Sequence, residues 1–256
     1  MEEKNYDFRK RHWTVHQPGR RDPARTARAG ETLLESGWAI GCGSGLVMEN
    51  AVRDFQDYLW TSMGVSAGRA AAAGEKVIWI DTDETVERGF VLEVAPDAVT
   101  VRLAKDAEAF RAIVYMEDVM NLEGAPVLPL GETVRRPLYE LRAVHSGCGI
   151  DQFPDAELSA TVHAGYDAIV VFVKDFDTTT AGHCDINDII QRATRYGIGV
   201  MLYNYIRSYV HPEDPKAAEV FDAAYGELFR RYPDALSISL CGESLEFPCR
   251  DPHTTG

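Results

Sequence analysis

Long apolar runs are missing from this 256-residue chain. No stretch approaches the roughly 20 consecutive apolar residues that cross a bilayer, so no membrane span is expected. Basic charge is also scarce. The 26 Lys and Arg stand against 40 Asp and Glu, a net charge of −14. A surface this acidic repels phosphate backbones, which removes nucleic acid and anionic membranes from the expected partners. The five cysteines (Cys42, Cys148, Cys184, Cys241, Cys249) are scattered, odd in number and without a CxxC pair. Such a set offers neither a disulfide framework nor a zinc-finger spacing. Reduced thiols, a cytoplasmic location and no metal or cofactor are therefore expected. The N-terminus, Met1-Glu-Glu-Lys-Asn-Tyr-Asp, is charged with no apolar core behind it, so no signal peptide is expected.

What is present is a 45% apolar globular chain with room for a sizeable core. Residues 1–30 are polar and basic and read as an irregular arm. A strand at Trp38-Ala-Ile-Gly leads through Gly41-Cys-Gly-Ser-Gly45 into a helix. Its apolar face is Val47, Ala51, Val52, Phe55, Tyr58, Leu59 and Met63. Lys76 to Asp81 is a short strand. Gly89 to Leu103 alternates about a Pro96-Asp97 turn, the pattern of a hairpin. Asp106 is positioned to cap a helix whose face is Phe110, Ile113, Val114, Val119 and Met120. Residues 31–124 are thus expected to form a small α/β domain with helices on one face, and 125–137 a linker.

From Leu138 onward the pattern changes. Four apolar runs, Leu138–Ser146, Ala168–Asp175, Gly199–Tyr205 and Ala235–Ser244, each close on polar groups, with helical patterns between them. Pro154-Asp-Ala-Glu starts the first helix and Asp185 caps the second. Asp214-Pro215 opens the third, with a buried face of Ala218, Phe221, Ala224, Tyr225 and Phe229. Repeated strand-then-helix units predict a parallel sheet with helices outside. The expected fold class is α/β: a small N-terminal α/β sandwich followed, over 138–256, by the first half of a (β/α)8 barrel.

Reactive groups of such barrels collect where the strands end. That places Arg142, His145, Lys174, Asp175, Tyr203, Asn204 and Glu243 on one rim. Glu243, in a Gly-Glu-Ser turn, suits a general acid once partial burial raises its pKa, and equally a strand-end cap. Lys174 with Asp175 suits binding of sugar hydroxyls or a simple salt bridge. Arg142 suits hydroxyls or a carboxylate, and His145 suits either a site or a satisfied loop. Tyr203 and Asn204 suit stacking and hydroxyl bonding, or ordinary packing. Gly41–Gly45 lacks the full G-x-G-x-x-G spacing and reads as a tight turn ahead of a phosphate loop. Asp81-Thr-Asp-Glu84 and Asp185-Ile-Asn-Asp188 lack a twelve-residue calcium loop and read as solvated turns or caps.

Two segments carry a family resemblance. Arg88-Gly-Phe-Val-Leu-Glu-Val-Ala-Pro-Asp-Ala-Val-Thr-Val, followed by Ala107-Glu-Ala-Phe-Arg-Ala-Ile, resembles the small domain ahead of the barrel in family 20 β-N-acetylhexosaminidases and in α-glucuronidases. Arg136-Pro-Leu-Tyr-Glu-Leu-Arg, running into Phe153-Pro-Asp-Ala-Glu-Leu, looks like the entry to their barrel. The likeness is one of layout and short motifs, over most of 35–245. In hexosaminidases the fourth strand ends in a Gly-Gly-Asp-Glu-like motif, in which Glu is the general acid and Asp orients the acetamido group. The resemblance puts Glu243 on that acid and Gly242 on the Asp, so it does not carry acetamido assistance over to this sequence. A sugar without an N-acetyl group fits at least as well.

Glycoside hydrolysis usually takes two carboxyl groups, and no second one stands out besides Asp175. A closed barrel needs eight strands in about 250 residues, whereas 138–256 holds four units. An open four-stranded sheet leaves two edges and an inner face unpaired. The expectation is a fragment of a longer hydrolase, inactive or nearly so alone and prone to self-association through the open edge. A second copy or chain completing the barrel is the other solution. A non-catalytic carbohydrate-binding or scaffold protein of the same layout is the alternative function, and nucleotide binding at Gly41–Gly45 a third.

Overall fold

The computed structural model describes residues 4–145, 152–173, 176–179, 182–205, 210–211 and 213–241. The chain divides into two compact units. One comprises Met1–Leu141, Asp155–Gly165 and Arg195–Gly197, and the other Arg142–Pro154, Tyr166–Thr194 and Ile198–Gly256.

The first unit holds helices α1 (Asn5–Trp13), α2 (Leu46–Met63), α3 (Ala109–Glu123) and α4 (Asp155–His163). Its strands are β1 (Glu31–Leu33), β2 (Ala39–Cys42), β3 (Gly68–Arg69), β4 (Val77–Thr82), β5 (Phe90–Ala95), β6 (Ala98–Leu103), β7 (Val127–Pro129) and β8 (Gly131–Arg135). Six of them form one sheet in the order β3-β2-β4-β6-β5-β8, and β1 pairs with β7. Side chains alternate across a strand, so one face of this sheet buries Ile40, Ile78, Ile80, Val99, Val101 and Leu103 completely. The other face carries the half-buried Val77, Trp79 and Thr100. Helix α2 packs on β2 and α3, burying Val47, Ala51, Val52, Phe55, Tyr58, Leu59 and Met63, the stripe read from spacing. Each large apolar side chain so buried stabilises by about 1.5–3 kcal/mol. Gly64, left-handed at φ 67°, ends the helix and donates its N–H back to the last turn.

The hairpin is as expected, with Ala95 opposite Ala98 across Pro96-Asp97. Other elements differ from the sequence reading. Asp106 makes no side-chain cap; it opens a short 3-10 turn, Asp106–Glu108, that feeds α3. On α3 the buried stripe runs through Phe110, Ile113, Met116, Glu117 and Met120, while Val114 and Val119 are only half-buried. Residues 125–137 carry β7 and β8, and β8 extends the main sheet beside β5. The N-terminal arm is not irregular throughout. Helix α1 packs on α4, where Glu157 accepts hydrogen bonds from Trp13 and His12. Arg25 then ties the arm down through Glu31 at 2.7 Å and Glu123 at 2.8 Å.

The second unit is built on a four-stranded sheet of β9 (Ala143–His145), β10 (Ala168–Phe172), β13 (Gly199–Tyr205) and β14 (Ser237–Cys241), in the order β14-β13-β10-β9. Every pairing in it is parallel. A two-residue ladder of β11 (Thr178–Thr179) and β12 (Gly182–His183) follows β10. Helix α5 (Ile186–Thr194) packs on β13 and is capped by Asp185, which accepts from the Asp188 N–H at 3.0 Å. Helix α6 (Ala217–Arg231) buries Ala217 and Leu228, with Phe221 and Ala224 half-buried between them. Phe229 is 49% exposed and Ala218 is exposed, so the buried stripe is rotated from the expected one. Both stripes share Phe221, and packing selects the one with Leu228. The α/β class, a small sheet-and-helix unit followed by parallel strands as in the first half of a β/α barrel, is thus the fold of this chain. Among the described residues no helix is long and apolar enough to cross a membrane.

Among the described residues Gly89 makes the tightest demand on the backbone. Its φ is +72°, and a Cβ there would stand 2.0 Å from the carbonyl oxygen of Arg135. Gly89→Ala should therefore lower the unfolding free energy by about 2 kcal/mol or more, combining left-handed strain with a backbone clash. Urea unfolding followed by circular dichroism measures it, and a midpoint unchanged from wild type would contradict this placement.

Candidate functional site at the strand ends

Parallel pairing sorts the rim residues by end. His145 is the last residue of β9 and is exposed. It stands opposite Val170, two residues before Phe172, and its ring meets Phe172 edge-on at 6.0 Å. Phe172 in turn lies opposite Tyr203, with ring centroids 4.7 Å apart. By the two-residue alternation, His145, Val170, Phe172, Met201, Tyr203 and Ser239 share one face of the sheet. On the opposite face Ile169, Val171, Val200 and Leu202 are almost fully buried. Val170, Met201 and Tyr203 are half-buried. The result is a row of three rings from neighbouring strands, ending where the strands end.

Asn204 also sits at this end but on the other parity. Its Nδ2 donates to the Val173 carbonyl at 2.8 Å, and the Val173 N–H donates to the Tyr203 carbonyl at 2.9 Å. The amide thereby extends the β10–β13 pairing beyond the last strand residue. Tyr203 and Asn204 consequently diverge to opposite faces. Lys174, Asp175 and Glu243 lie outside the described residues.

Arg142 does not belong to this rim. It immediately precedes β9, at the start of the strand. Its guanidinium Nε donates to Asp167 Oδ2 at 3.2 Å and its backbone N–H to the same oxygen at 3.0 Å. Asp167 stands just before β10, and its N–H returns a bond to the Arg142 carbonyl at 2.7 Å. The pair clamps two strand entries at the end opposite His145.

Nor does the Gly41–Gly45 turn cradle an anion. The Gly43 N–H is spent on the Ile80 carbonyl at 2.9 Å. A Cβ on Gly43 would fall 2.1 Å from Asp81 Oδ1, so the glycine serves to admit a carboxylate. Negative charge there opposes phosphate. A shallow depression of about 640 Å³ lies elsewhere in the first unit, lined by Val77, Trp79, Pro96 and Thr100 with Glu75 and Asp97.

A second polar group, unforeseen in the sequence, is buried in the first unit. His16 of the arm, Asp54 of α2, Glu117 of α3 and His163 of α4 converge, and one ligand-type atom from each lies within 4.8 Å of the others. Burial by itself would lower the pKa of both imidazoles. The facing carboxylates of Asp54 and Glu117 overcome this and raise His16 to about 11 and His163 to about 10. Burial would raise Asp54, but the two imidazoliums hold it at about 2. Nearby, the Tyr58 hydroxyl donates to the Glu117 carbonyl at 3.0 Å, and burial pushes its pKa up. No periodicity could have found this group, because each element contributes one polar residue.

The arrangement of the strands matches that of solved glycoside hydrolases. A family 20 exo-β-N-acetylglucosaminidase from Vibrio harveyi aligns over 90% of this chain and 48% of its own, with a TM-score of 0.58 at 11% identity. A β-N-acetylhexosaminidase from Bacteroides fragilis aligns over 84% of this chain and 54% of its own, with a TM-score of 0.58 at 14% identity. A family 138 glycoside hydrolase targeting pectin rhamnogalacturonan II gives a TM-score of 0.60 at 12% identity, over 82% of this chain and 31% of its own. At these identities the likeness is one of fold, and the chain spans about half the length of the two hexosaminidase-type enzymes. No family model and no curated protein matches the sequence.

Two outcomes follow from these placements. Arg142→Ala should cost about 1–3 kcal/mol, because it leaves Asp167 short of a charged partner. Urea unfolding of both proteins checks it, and an unchanged midpoint would contradict the clamp. In protein stripped of divalent cations, the histidine contribution to stability is complete below pH 6.5 and is lost as pH rises through about 10 to 11. The Asp54 contribution is complete above pH 3.8 and is lost as pH falls towards about 2. Unfolding midpoints should therefore be highest between these limits and decline above pH 6.5, which a series of denaturant titrations across pH would show.

Proposed function

We propose that this chain is part of a carbohydrate-active hydrolase that cleaves a glycosidic bond, with Glu243 as general acid. The observation that carries the reading is the row of His145, Phe172 and Tyr203 at the ends of three parallel strands. Aromatic faces stack on the C–H faces of sugar rings, and a polar edge such as the Tyr203 hydroxyl bonds their hydroxyl groups. In the sequence Glu243 comes two residues after the end of β14, and β14 lies beside β13 in the same sheet. Lys174 and Asp175 come two and three residues after β10 in the sequence and would bind sugar hydroxyls. The hexosaminidase fold of the neighbours supports a glycoside as substrate. The sugar need carry no N-acetyl group, because Gly242 precedes the acid.

Catalysis needs a partner carboxylate across the scissile bond. Asp175 is one candidate, and further strands completing the barrel are the other source. The half-buried face of Val170, Met201 and Tyr203 supports such completion, by more of the same polypeptide or by a second copy. This reading includes a cytoplasmic enzyme that does not bind nucleic acid. The replacement of the acetamido-orienting Asp by Gly242 also favours a second reading, a non-catalytic carbohydrate-binding protein of the same layout.

Aryl glycosides with graded leaving groups test the proposal. Glu243→Gln should lower kcat/KM about 100-fold or more on poor leaving groups and much less on nitrophenolate, which leaves without a proton. Equal rates for both proteins on every substrate would remove Glu243 from the mechanism. Binding without turnover, abolished by Tyr203→Ala, would instead establish the non-catalytic protein.

A further inference from the structure

The buried group of His16, Asp54, Glu117 and His163 has the makings of a ligand set. His16 Nε2 stands 3.4 Å from Asp54 Oδ2 and 3.7 Å from Glu117 Oε1. His163 Nε2 stands 3.2 Å from Asp54 Oδ2 and 3.5 Å from Glu117 Oε2. Charge-assisted hydrogen bonds between imidazolium and carboxylate would close to about 2.7–2.9 Å. These contacts do not. His16 Nε2, Asp54 Oδ2, Glu117 Oε1 and His163 Nε2 are all buried without a hydrogen-bond partner. The His16 and Glu117 side chains are each only 5% exposed. Unpartnered polar atoms that converge in a closed space are costly unless something else sits between them.

The spacing says what fits. Four donors about 2.0–2.1 Å from one ion at tetrahedral angles lie about 3.3–3.4 Å from one another; the four imidazole–carboxylate separations here are 3.2–3.7 Å, and all four ligand atoms lie within 4.8 Å of one another. The outer nitrogens are also fixed as metal-binding histidines require. His16 Nδ1 is 2.7 Å from Asp57 Oδ2, and His163 Nδ1 is 2.8 Å from the Ser159 carbonyl oxygen. A carbonyl only accepts, so the His163 proton is on Nδ1. The Asp57 carboxylate draws the His16 proton to Nδ1 in the same way. Displacement of the Nε2 proton by a metal ion would leave each ring neutral with its Nε2 lone pair turned inward. Two neutral imidazoles and two carboxylates carry two negative charges, which a divalent cation neutralises.

We propose that His16, Asp54, Glu117 and His163 bind one divalent first-row transition-metal ion, zinc by preference, in a closed structural site. Two nitrogens and two oxygens suit zinc or cobalt and disfavour magnesium and calcium, which take six or more oxygens. The ligands come from the arm, α2, α3 and α4, so the ion pins the arm and α4 to the α2–α3 pair. Its role is independent of the strand-end chemistry.

The test uses the full 256-residue chain, stripped with a chelator and titrated with Zn²⁺, Co²⁺ and Mg²⁺. One equivalent of Zn²⁺ should bind and raise the melting midpoint by more than about 5 °C, while Mg²⁺ has no effect. Co²⁺ should give the intense visible bands of a tetrahedral site without thiolate charge transfer, which separates this site from Cys42 or Cys184. His16→Ala and His163→Ala should weaken zinc binding about 100-fold or more, and Asp57→Asn, which keeps all four ligands, about 10–100-fold. The wild-type cobalt spectrum decides the question if the alanine variants do not fold. Failure of folded wild-type protein to take up Zn²⁺, binding of undiminished affinity in both folded alanine variants, or a thiolate-type cobalt spectrum would overturn the proposal.

Discussion

The direction of four strands governs what the second unit can do. Parallel pairing of β9, β10, β13 and β14 sends every strand end to the same side. Register then does the finer placement. Phe172 lies opposite Tyr203, and His145 opposite the residue two before Phe172, so three rings fall in a row. A one-residue slip of β13 would send Tyr203 to the buried face and bring Asn204 into the row. The complete burial of Ile169, Val171 and Leu202 on the other face holds that register, since a slip would expose one set and bury the wrong one.

Much of this architecture was legible in the chain because periodic features repeat and so reinforce one another. The α2 stripe, the Phe90–Leu103 hairpin, the Asp185 cap and the β13 bounds follow from spacing alone. Elements without internal repetition were harder to read. Helix α1 is polar along its length, and it is held by His12 and Trp13 bonded to Glu157 of α4, a contact that local sequence cannot reveal. On α6 the sequence offers two overlapping stripes, and only packing distinguishes Leu228 from Phe229.

Site residues divide the same way. Tyr203 and His145 lie where strand ends were expected, because a strand end can be located from its apolar run. Arg142 was misassigned because the run beginning at Leu138 overstates the strand. Pairing starts only at Ala143, which turns Arg142 from an exit residue into an entry residue. The buried quartet was invisible for a different reason. One polar residue per element leaves no trace in composition or periodicity, and Glu117 on an otherwise apolar stripe is meaningful only beside His16 and His163.

The interleaving of the two units has a consequence for biosynthesis. The first unit is not finished when Leu141 is made; it still awaits α4, whose His163 joins Asp54 and Glu117, and Tyr196, whose ring lies 5.6 Å from Phe110. A chain emerging from the ribosome therefore holds Asp54 and Glu117 inside its α2–α3 pair with His16 as the one histidine facing them until α4 has been translated. Vectorial synthesis cannot complete the first unit before starting the second.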